Sequence, residues 1–343
     1  MGVSAPALSM ASNSPTGIAP VLQLHPTRRC NLACAHCYSS SGPAVREELG
    51  LDLLTACLED AAALGYRQLA VSGGEPLLYR PLAQLLARAR ALGMLTTITS
   101  NGMFATPERW RPLAALVDVA AISIDGTEAE HDAIRRQRGA FARTVANFNV
   151  IRASGVPFGL IFTLTLHNVD SLEFVVRLAA RHGARGVQVH PLTLHGRAAE
   201  ALAGARPDAV ELLAALHEAV RLGRELGLAV QVDTLSLEQL LRYRDHIVPP
   251  RPLERCIDAA PVLVVQADAS VLPLTHELSP ALWLGSLHRA PLAALARDWL
   301  AGGRAERLVD ACERTWSELT GADAPAAVYW YDEVAARTRR WDI

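Results

Sequence analysis

Apolar runs typical of strands alternate with helical patterns along most of the chain, and this alternation constrains the fold more than any other feature. The candidate strands are 21–27, 68–73, 95–100, 120–125, 158–165 and 186–192. The candidate helices are 51–64, 81–92, 107–116, 140–154, 170–182 and about 207–226. Strands that are apolar on both faces and joined by helices favour a parallel sheet with helices outside it.

Six strand–helix units predict an α/β fold, a partial (β/α)6 barrel of the TIM type, over residues 21–233. Residues 228–233 are a candidate seventh strand, and a doubly wound open sheet is the competing architecture. In a barrel, side chains at the carboxyl ends of the strands carry the chemistry.

Beyond residue 233 the alternation breaks. A proline-rich stretch, "IVPPRPLERC", introduces a small α+β extension over 234–343. Residues 1–20 lack a basic start and an apolar core, so we expect a flexible tail and not a signal peptide. We also expect no room for a leader-binding domain before the first strand.

The composition excludes several function classes. Half of the 343 residues are apolar and the net charge is −2, so no global field attracts nucleic acid or membrane. No apolar run reaches the ~18–20 residues that span a bilayer. Six cysteines in so long a chain do not form a disulfide scaffold, which favours the reducing cytoplasm.

Three of those cysteines are clustered. Cys30, Cys34 and Cys37 have the spacing C-x3-C-x2-C directly after the first strand. They could be buried thiols, or a zinc site completed by His36 or His25. They could also hold a [4Fe–4S] cluster with three thiolates, which leaves one iron open to bind a substrate or cofactor.

With the aromatic Tyr38 after the last cysteine, the motif resembles that of the radical S-adenosylmethionine (SAM) enzymes. The resemblance implies that the three cysteines hold a [4Fe–4S] cluster whose open iron binds the amino and carboxylate groups of SAM. Reductive cleavage then gives methionine and a 5′-deoxyadenosyl radical, which takes hydrogen from a substrate. Tyr38 would present an aromatic face to a bound ring, or it packs the loop.

Two further strand ends carry motifs that resemble those of the family. In "SGGEP", Gly73, Gly74 and Glu75 correspond to residues that bind the amino group of SAM. In "TSNG", Ser100 and Asn101 could meet the methionine or ribose group. An ordinary Asn-Gly turn is the alternative for the second motif.

The next two strand ends extend the resemblance. After "SIDG", Ser123 and Arg135 are candidates for the SAM carboxylate, and Asp125 shapes the loop or touches the ribose. A solvated arginine pair is the alternative for Arg135 and its neighbour. Thr165 and Asn168 lie beside the ribose and adenine in similar enzymes, or they cap the strand.

The extension resembles the SPASM domain that follows many radical SAM barrels. Cys256 matches its opening cysteine, but Leu274 stands where the next cysteine should be and Cys312 alone remains beyond it. Two cysteines cannot supply the four ligands of an auxiliary cluster, so we expect none. Cys312 is a buried structural residue or a thiol that donates hydrogen to a substrate radical.

The stretch "HPLTLHGRA" resembles one found in members that modify peptides and tetrapyrroles, and its His190 and His195 could be catalytic or structural. The resemblance therefore implies modification of a ribosomally synthesised peptide. The alternatives are tailoring of a small molecule or tetrapyrrole, such as a decarboxylation, and a non-enzymatic metal-binding scaffold. An electron donor such as flavodoxin or ferredoxin and a separate leader-peptide-binding protein are the expected partners.

Overall fold

The computed structural model describes residues 20–340, so the expected tail lies almost wholly outside the described residues. Within the described part of the chain, no helix is long and apolar enough to cross a membrane.

The structure has a strand at each of the seven candidate positions. The strands are β1 Val21–Leu24, β2 Gln68–Val71, β3 Leu95–Ser100, β4 Val119–Ser123, β5 Phe158–Leu164, β6 Gly186–Pro191, β7 Ala229–Val232, β8 Leu235–Ser236, β9 Val262–Val265, β10 Ser270–Pro273, β11 Gly285–Ser286 and β12 Ala327–Val328.

The helices cover the outside of the sheet. They are α1 Leu51–Leu64, α2 Leu82–Ala91, α3 Pro107–Trp110, α4 Glu128–Arg135, α5 Ala140–Ala153, α6 Leu172–Arg181, α7 Arg197–Ala201, α8 Ala209–Leu226, α9 Leu237–Arg242, α10 Arg244–Ile247, α11 Cys256–Ala259, α12 Leu292–Ala301, α13 Arg304–Leu319 and α14 Trp330–Thr338.

The main sheet has ten strands in the order β11-β10-β9-β1-β2-β3-β4-β5-β6-β7. Strands β1 to β7 run parallel in chain order, which confirms the α/β barrel-type fold. The hairpin of β9 and β10 continues this sheet, because β9 pairs parallel with β1 from Val21↔Val262 onward. The C-terminal segment thereby reaches the same edge of the sheet as the cysteine loop.

Two local expectations were wrong in their bounds, and one helix was missed. Strand β1 ends at Leu24 and not at residue 27, because Pro26 has no backbone N–H to donate to a neighbouring strand. The helix expected over 107–116 is α3 followed by a 3₁₀ turn, Arg111–Leu113, that contains Pro112. Helix α4 was missed; it is short and polar, and Thr127 begins it with a capping box.

Apolar residues form the core of the extension. Leu282, Leu292 and Trp299 are fully buried, whereas Trp283 is partly buried. The indole N–H of Trp299 donates to the carbonyl of Leu282 over 2.9 Å. The segment is thus packed against the barrel, and its loops can close the end where the strands terminate.

Candidate functional site

The three clustered cysteines face a cavity of about 280 Å³ at the carboxyl ends of the parallel strands. They lie on the loop after β1; Cys30 and Cys34 are buried and Cys37 is half-buried. Met103, from the loop after β3, packs against them. The cysteine loop thus lies at the barrel mouth, and the convergence of its three sulfurs on one centre stays a prediction from the spacing.

All three thiols are free of disulfides. Burial, together with the charge of Glu75, raises the pKa of the Cys30 thiol to about 12. Burial also raises the pKa of Cys34, although the guanidinium of Arg135 lies 3.8 Å from its sulfur. Three free thiols on one loop beside an open cavity fit the thiolate donors of an iron–sulfur cluster.

The two histidines that could complete a zinc site are engaged elsewhere. His36 Nε2 lies 3.2 Å from Asp125 Oδ2, and His25 Nε2 lies 3.3 Å from the Tyr38 hydroxyl. Within residues 20–340, no three His, Cys, Asp or Glu side chains are close enough to hold a single metal ion. A [4Fe–4S] cluster differs from such an ion because each cysteine binds a different iron.

The "HGRA" motif holds the cysteine loop in place, a role that the sequence did not reveal. Arg197 donates from its backbone N–H to the Cys37 carbonyl over 3.0 Å, and from its guanidinium to the carbonyls of Cys34 and Ser41 over 2.8 Å each. Gly196 has φ +53°, and a Cβ there would lie 2.1 Å from the Tyr38 carbonyl oxygen. Only glycine permits this close approach.

The glycines of "SGGEP" pack against the chain that leads into the cysteines. The Gly74 N–H donates to the Thr27 carbonyl over 2.8 Å, and a Cβ on Gly74 would lie 2.2 Å from the Arg29 carbonyl oxygen. Gly73 has φ +106°. Both glycines also line the cavity, so a ligand there meets their backbone.

Glu75 lies behind the cavity wall and is fully buried. Its carboxylate accepts hydrogen bonds from the Ser100 hydroxyl over 2.8 Å, the Asn101 N–H over 2.9 Å and the Leu77 N–H over 3.1 Å. Burial raises the pKa of Glu75, while these donors and Arg135 oppose the rise. Glu75 thus fixes the loop after β3, and its neighbour Asn101 reaches the cavity.

Asn101 builds the turn that was the alternative for "TSNG". Its side-chain oxygen accepts from the Met103 N–H over 3.0 Å, and Gly102 adopts φ +74°. Its amide nitrogen donates to Asn31 over 2.9 Å and lies 3.9 Å from the Cys30 sulfur. Asn101 therefore both builds the turn and lines the cavity.

After β4, Ser123 and Arg135 line the cavity, whereas Asp125 is fully buried behind them. Arg135 Nε donates to Asp125 Oδ2 over 2.5 Å, so the arginine is buried and paired and not solvated. Thr165 does not line the cavity. Its backbone N–H and its hydroxyl both donate to Asn168 Oδ1, over 2.7 and 2.9 Å, which is the strand-end cap alternative.

Tyr38 takes part in a stack of three rings that the sequence did not predict. The Tyr38 ring lies 4.4 Å from that of His276, and His276 in turn lies 4.7 Å from His25. Burial lowers the pKa of His25 to about 4 and that of His276 well below its usual range, so both rings are neutral at pH 7. His276 comes from the C-terminal hairpin, so the extension closes this side of the cavity.

The cavity wall also carries two histidine–carboxylate groups. His190 Nδ1 pairs with Asp233, and His195 Nδ1 lies 3.0 Å from Glu277 while its Nε2 lies 3.5 Å from Asp332. All five side chains line the cavity. Sequence reasoning found the two histidines and missed the carboxylates, because Asp233, Glu277 and Asp332 belong to no motif.

Cys256 and Cys312 are fully buried and do not line the cavity. The Cys256 sulfur lies 3.7 Å from the Tyr66 hydroxyl. Burial raises the pKa of the Cys312 thiol to about 12. Leu274, which replaces the next expected cysteine, lines the cavity with φ +65°. The packing of Cys312 favours its structural interpretation over hydrogen donation.

The sequence is similar to one family model and to several known proteins. Residues 24–179 match the model of the Radical SAM superfamily. The chain is 35% identical over 207 residues to a PqqA peptide cyclase of Ruegeria pomeroyi, covering 59% of this chain and 54% of that protein. It is 31% identical over 180 residues to an Fe-coproporphyrin III synthase of Methanosarcina barkeri, covering 52% and 45%. The chain thus spans about half the length of these relatives.

Two solved structures share the fold. Streptococcus suis SuiB bound to its precursor peptide SuiA superposes with a TM-score of 0.66 at 15% identity, covering 93% of this chain and 76% of that one. The structure of anSMEcpe with bound AdoMet has a TM-score of 0.64 at 14% identity, covering 94% and 93%. At these identities the likeness concerns the fold alone.

Proposed function

We propose that the chain is a radical SAM enzyme that cleaves SAM reductively and modifies a ribosomally synthesised peptide, because residues 24–179 match the model of the Radical SAM superfamily. The family uses a [4Fe–4S] cluster and SAM as cofactors. The observation that carries the proposal is the convergence of three free cysteines, the glycines of "SGGEP" and Arg135 on one cavity.

In this proposal Cys30, Cys34 and Cys37 hold the cluster. When bound, the cluster supplies the electron that cleaves SAM into methionine and a 5′-deoxyadenosyl radical. The protein binds, orients and shields the reactants. Gly73 and Gly74 offer backbone groups to the cofactor at the cavity wall.

Three side chains at the wall, Asn101, Ser123 and Arg135, are placed to meet the polar groups of SAM, and Arg135 suits its carboxylate. Four other residues assigned to SAM by resemblance lie behind the wall: Glu75, Ser100, Asp125 and Thr165. We assign these four to positioning the loops on which the wall residues stand, because each is hydrogen-bonded to a neighbouring loop or turn.

The charge of the cavity favours a peptide over a tetrapyrrole. Asp233, Glu277 and Asp332 contribute three carboxylates to the wall, whereas its arginine, Arg135, is paired with Asp125 and is assigned to the carboxylate of SAM. A tetrapyrrole that carries several carboxylates would need cations that are free to pair with them. The relatives described above include both a peptide cyclase and a porphyrin synthase, so they do not decide between the two substrates. The charge of the cavity wall is the observation that favours the peptide.

The bounds of the barrel, 21–233, and of a SPASM-like cap without auxiliary clusters, 234–343, belong to the same proposal. The cap contributes His276, Glu277 and Tyr329 to the cavity, which supports a role in closing it over the substrate. This chemistry requires an electron donor such as flavodoxin or ferredoxin. A separate leader-peptide-binding protein suits a peptide substrate.

The experiment presents the reconstituted, reduced protein with SAM and either synthetic peptides or coproporphyrin III. Peptide modification predicts that a peptide raises 5′-deoxyadenosine release above the background without substrate and that the peptide changes mass. Conversion of coproporphyrin III, with no peptide converted, would favour the tetrapyrrole alternative.

A further inference from the structure

We propose that His190 exchanges a proton with the substrate through its ring nitrogen Nε2. This inference rests on the proposed function and assigns a role that the resemblance left open. His190 stands near the end of β6, and Asp233 directly follows β7, the next strand of the sheet. The Asp233 N–H donates to the Val189 carbonyl over 2.9 Å, which fixes the two side chains next to each other.

The carboxylate of Asp233 is held by two side-chain donors besides the histidine. Gln188 Nε2 lies 3.2 Å from each of its oxygens, and Gln231 Nε2 lies 3.4 Å from Oδ1. Asp233 is buried and accepts the hydrogen of His190 Nδ1. Such a partner fixes the orientation and the tautomer of an imidazole, so the lone pair of neutral His190 lies on Nε2.

Nε2 of His190 has no hydrogen-bond partner in the part of the chain that the structure describes, and the side chain is 33% exposed and lines the cavity. The free nitrogen therefore faces the space where a substrate would lie. The titratable groups that act on it are Asp233 and His276, and Tyr329 and Tyr331 in turn interact with Asp233. Burial opposes protonation of His190, but Asp233 outweighs it and raises the pKa of the ring.

His195 offers the opposite case on the same wall. Both of its ring nitrogens are taken, one by Glu277 and the other by Asp332, and Asp332 is further paired with Arg206 over 2.7 Å. No nitrogen of His195 is free to meet a substrate. The two histidines are thus a natural pair of test and control.

The step is a simple proton transfer. A heteroatom of the substrate, such as a thiol, phenol or ammonium group of a peptide side chain, gives its proton to Nε2 and keeps the bonding electron pair. His190 becomes an imidazolium ion, which the Asp233 carboxylate stabilises. The substrate class is therefore a peptide that presents an ionisable heteroatom beside its reacting carbon.

The first experiment needs no substrate and uses diethyl pyrocarbonate, which acylates neutral imidazole nitrogens, on the reconstituted full chain. Peptide mapping should find His190 acylated and His195 unreacted. The rate at His190 should rise with pH through a midpoint above the usual value of about 6.5, and Asp233→Asn should lower that midpoint. An unreactive His190, or a midpoint that Asp233→Asn leaves in place, would overturn the inference.

The second experiment uses whichever synthetic peptide the wild-type protein converts. His190→Asn keeps a side-chain N–H for Asp233 but has no atom at the Nε2 position, so turnover should fall by about 100-fold or more. His288→Asn, at an exposed histidine that does not line the cavity, should change turnover by less than about threefold. Retained turnover in His190→Asn contradicts the inference. If the wild type converts no peptide, the proposed function fails instead, and the acylation result alone decides whether His190 is a free base.

Discussion

Asp125 and Arg135 form a buried ion pair beside the cysteine cavity, with 2.5 Å between Asp125 Oδ2 and Arg135 Nε. Burial alone would raise the pKa of Asp125, but Arg135 and then His36 hold it well below its usual range. Because the same guanidinium also lies 3.8 Å from the Cys34 sulfur, the pair connects the loop after β4 with the cysteine loop.

Asp125→Asn should destabilise the fold by about 3–5 kcal/mol, because it leaves the buried Arg135 charge without a partner. A carboxylate with a depressed pKa stabilises the fold above its unfolded value of about 3.9, and this contribution is lost as pH falls through the folded pKa. Urea unfolding at pH 7 and below pH 4 measures both effects, and the variant should lose less stability on acidification than the wild type.

The matched control for that ion pair is Arg251→Ala. Arg251 forms exposed pairs with Glu306 and Asp310, so its removal should cost less than about 1 kcal/mol. Equal losses in the two variants would show that the buried pair has no special role in the fold.

Gly196→Ala should prevent the cysteine loop from closing, because the new Cβ would meet the carbonyl oxygens of Tyr38 and Cys37 at 2.1 and 2.8 Å. We expect iron content after anaerobic reconstitution to fall well below that of the wild type. Gly204→Ala is the control, since no atom lies within 4 Å of a Cβ there. Normal iron in Gly196→Ala would contradict the role assigned to "HGRA".

Glu75→Ala should weaken SAM binding and leave the cluster spectrum intact. The substitution removes the acceptor that orients Ser100 and the Asn101 backbone, and hydrogen bonds to a charged group contribute about 1.5–3 kcal/mol each. Equilibrium dialysis with SAM measures the effect, and the visible spectrum monitors the cluster. Unchanged SAM affinity would mean that the "SGGEP" loop is not part of the cofactor site.

Cys256→Ala and Cys312→Ala, singly and together, should leave iron content and SAM cleavage unchanged, because both thiols are buried away from the cavity. Each should cost at most ~1–3 kcal/mol of stability. Iron analysis should give about four atoms per chain. A loss of iron in either variant, or about eight atoms per chain in the wild type, would show that the extension holds a second cluster.

The barrel could be predicted from the sequence because its first six strands are largely buried and helices separate them along the chain. Helix α4 was not predicted, since its eight residues, Glu128–Arg135, are mostly polar. The contacts in the site that the sequence did not predict join residues that lie far apart in the chain. The stacking of His276 on Tyr38 depends on β9 pairing with β1, which no local pattern indicates.

The same distinction holds within the motifs. Cys30, Cys34 and Cys37 share one loop, so their spacing alone indicates a common site, and that stays a prediction. The burial of Glu75 behind Asn101 depends instead on how two neighbouring strand ends pack. Resemblance therefore located the right loops and did not distinguish the side chains on the cavity wall from those behind it.

The central claim is that Cys30, Cys34 and Cys37 hold the cluster at which SAM is cleaved. Its most direct test is the amount of 5′-deoxyadenosine that the reconstituted, reduced protein forms from SAM without substrate. We predict slow formation by the wild type and none by the Cys30/Cys34/Cys37→Ala triple variant. Equal formation by both, or none by a wild type that contains about four iron atoms per chain, would contradict the account.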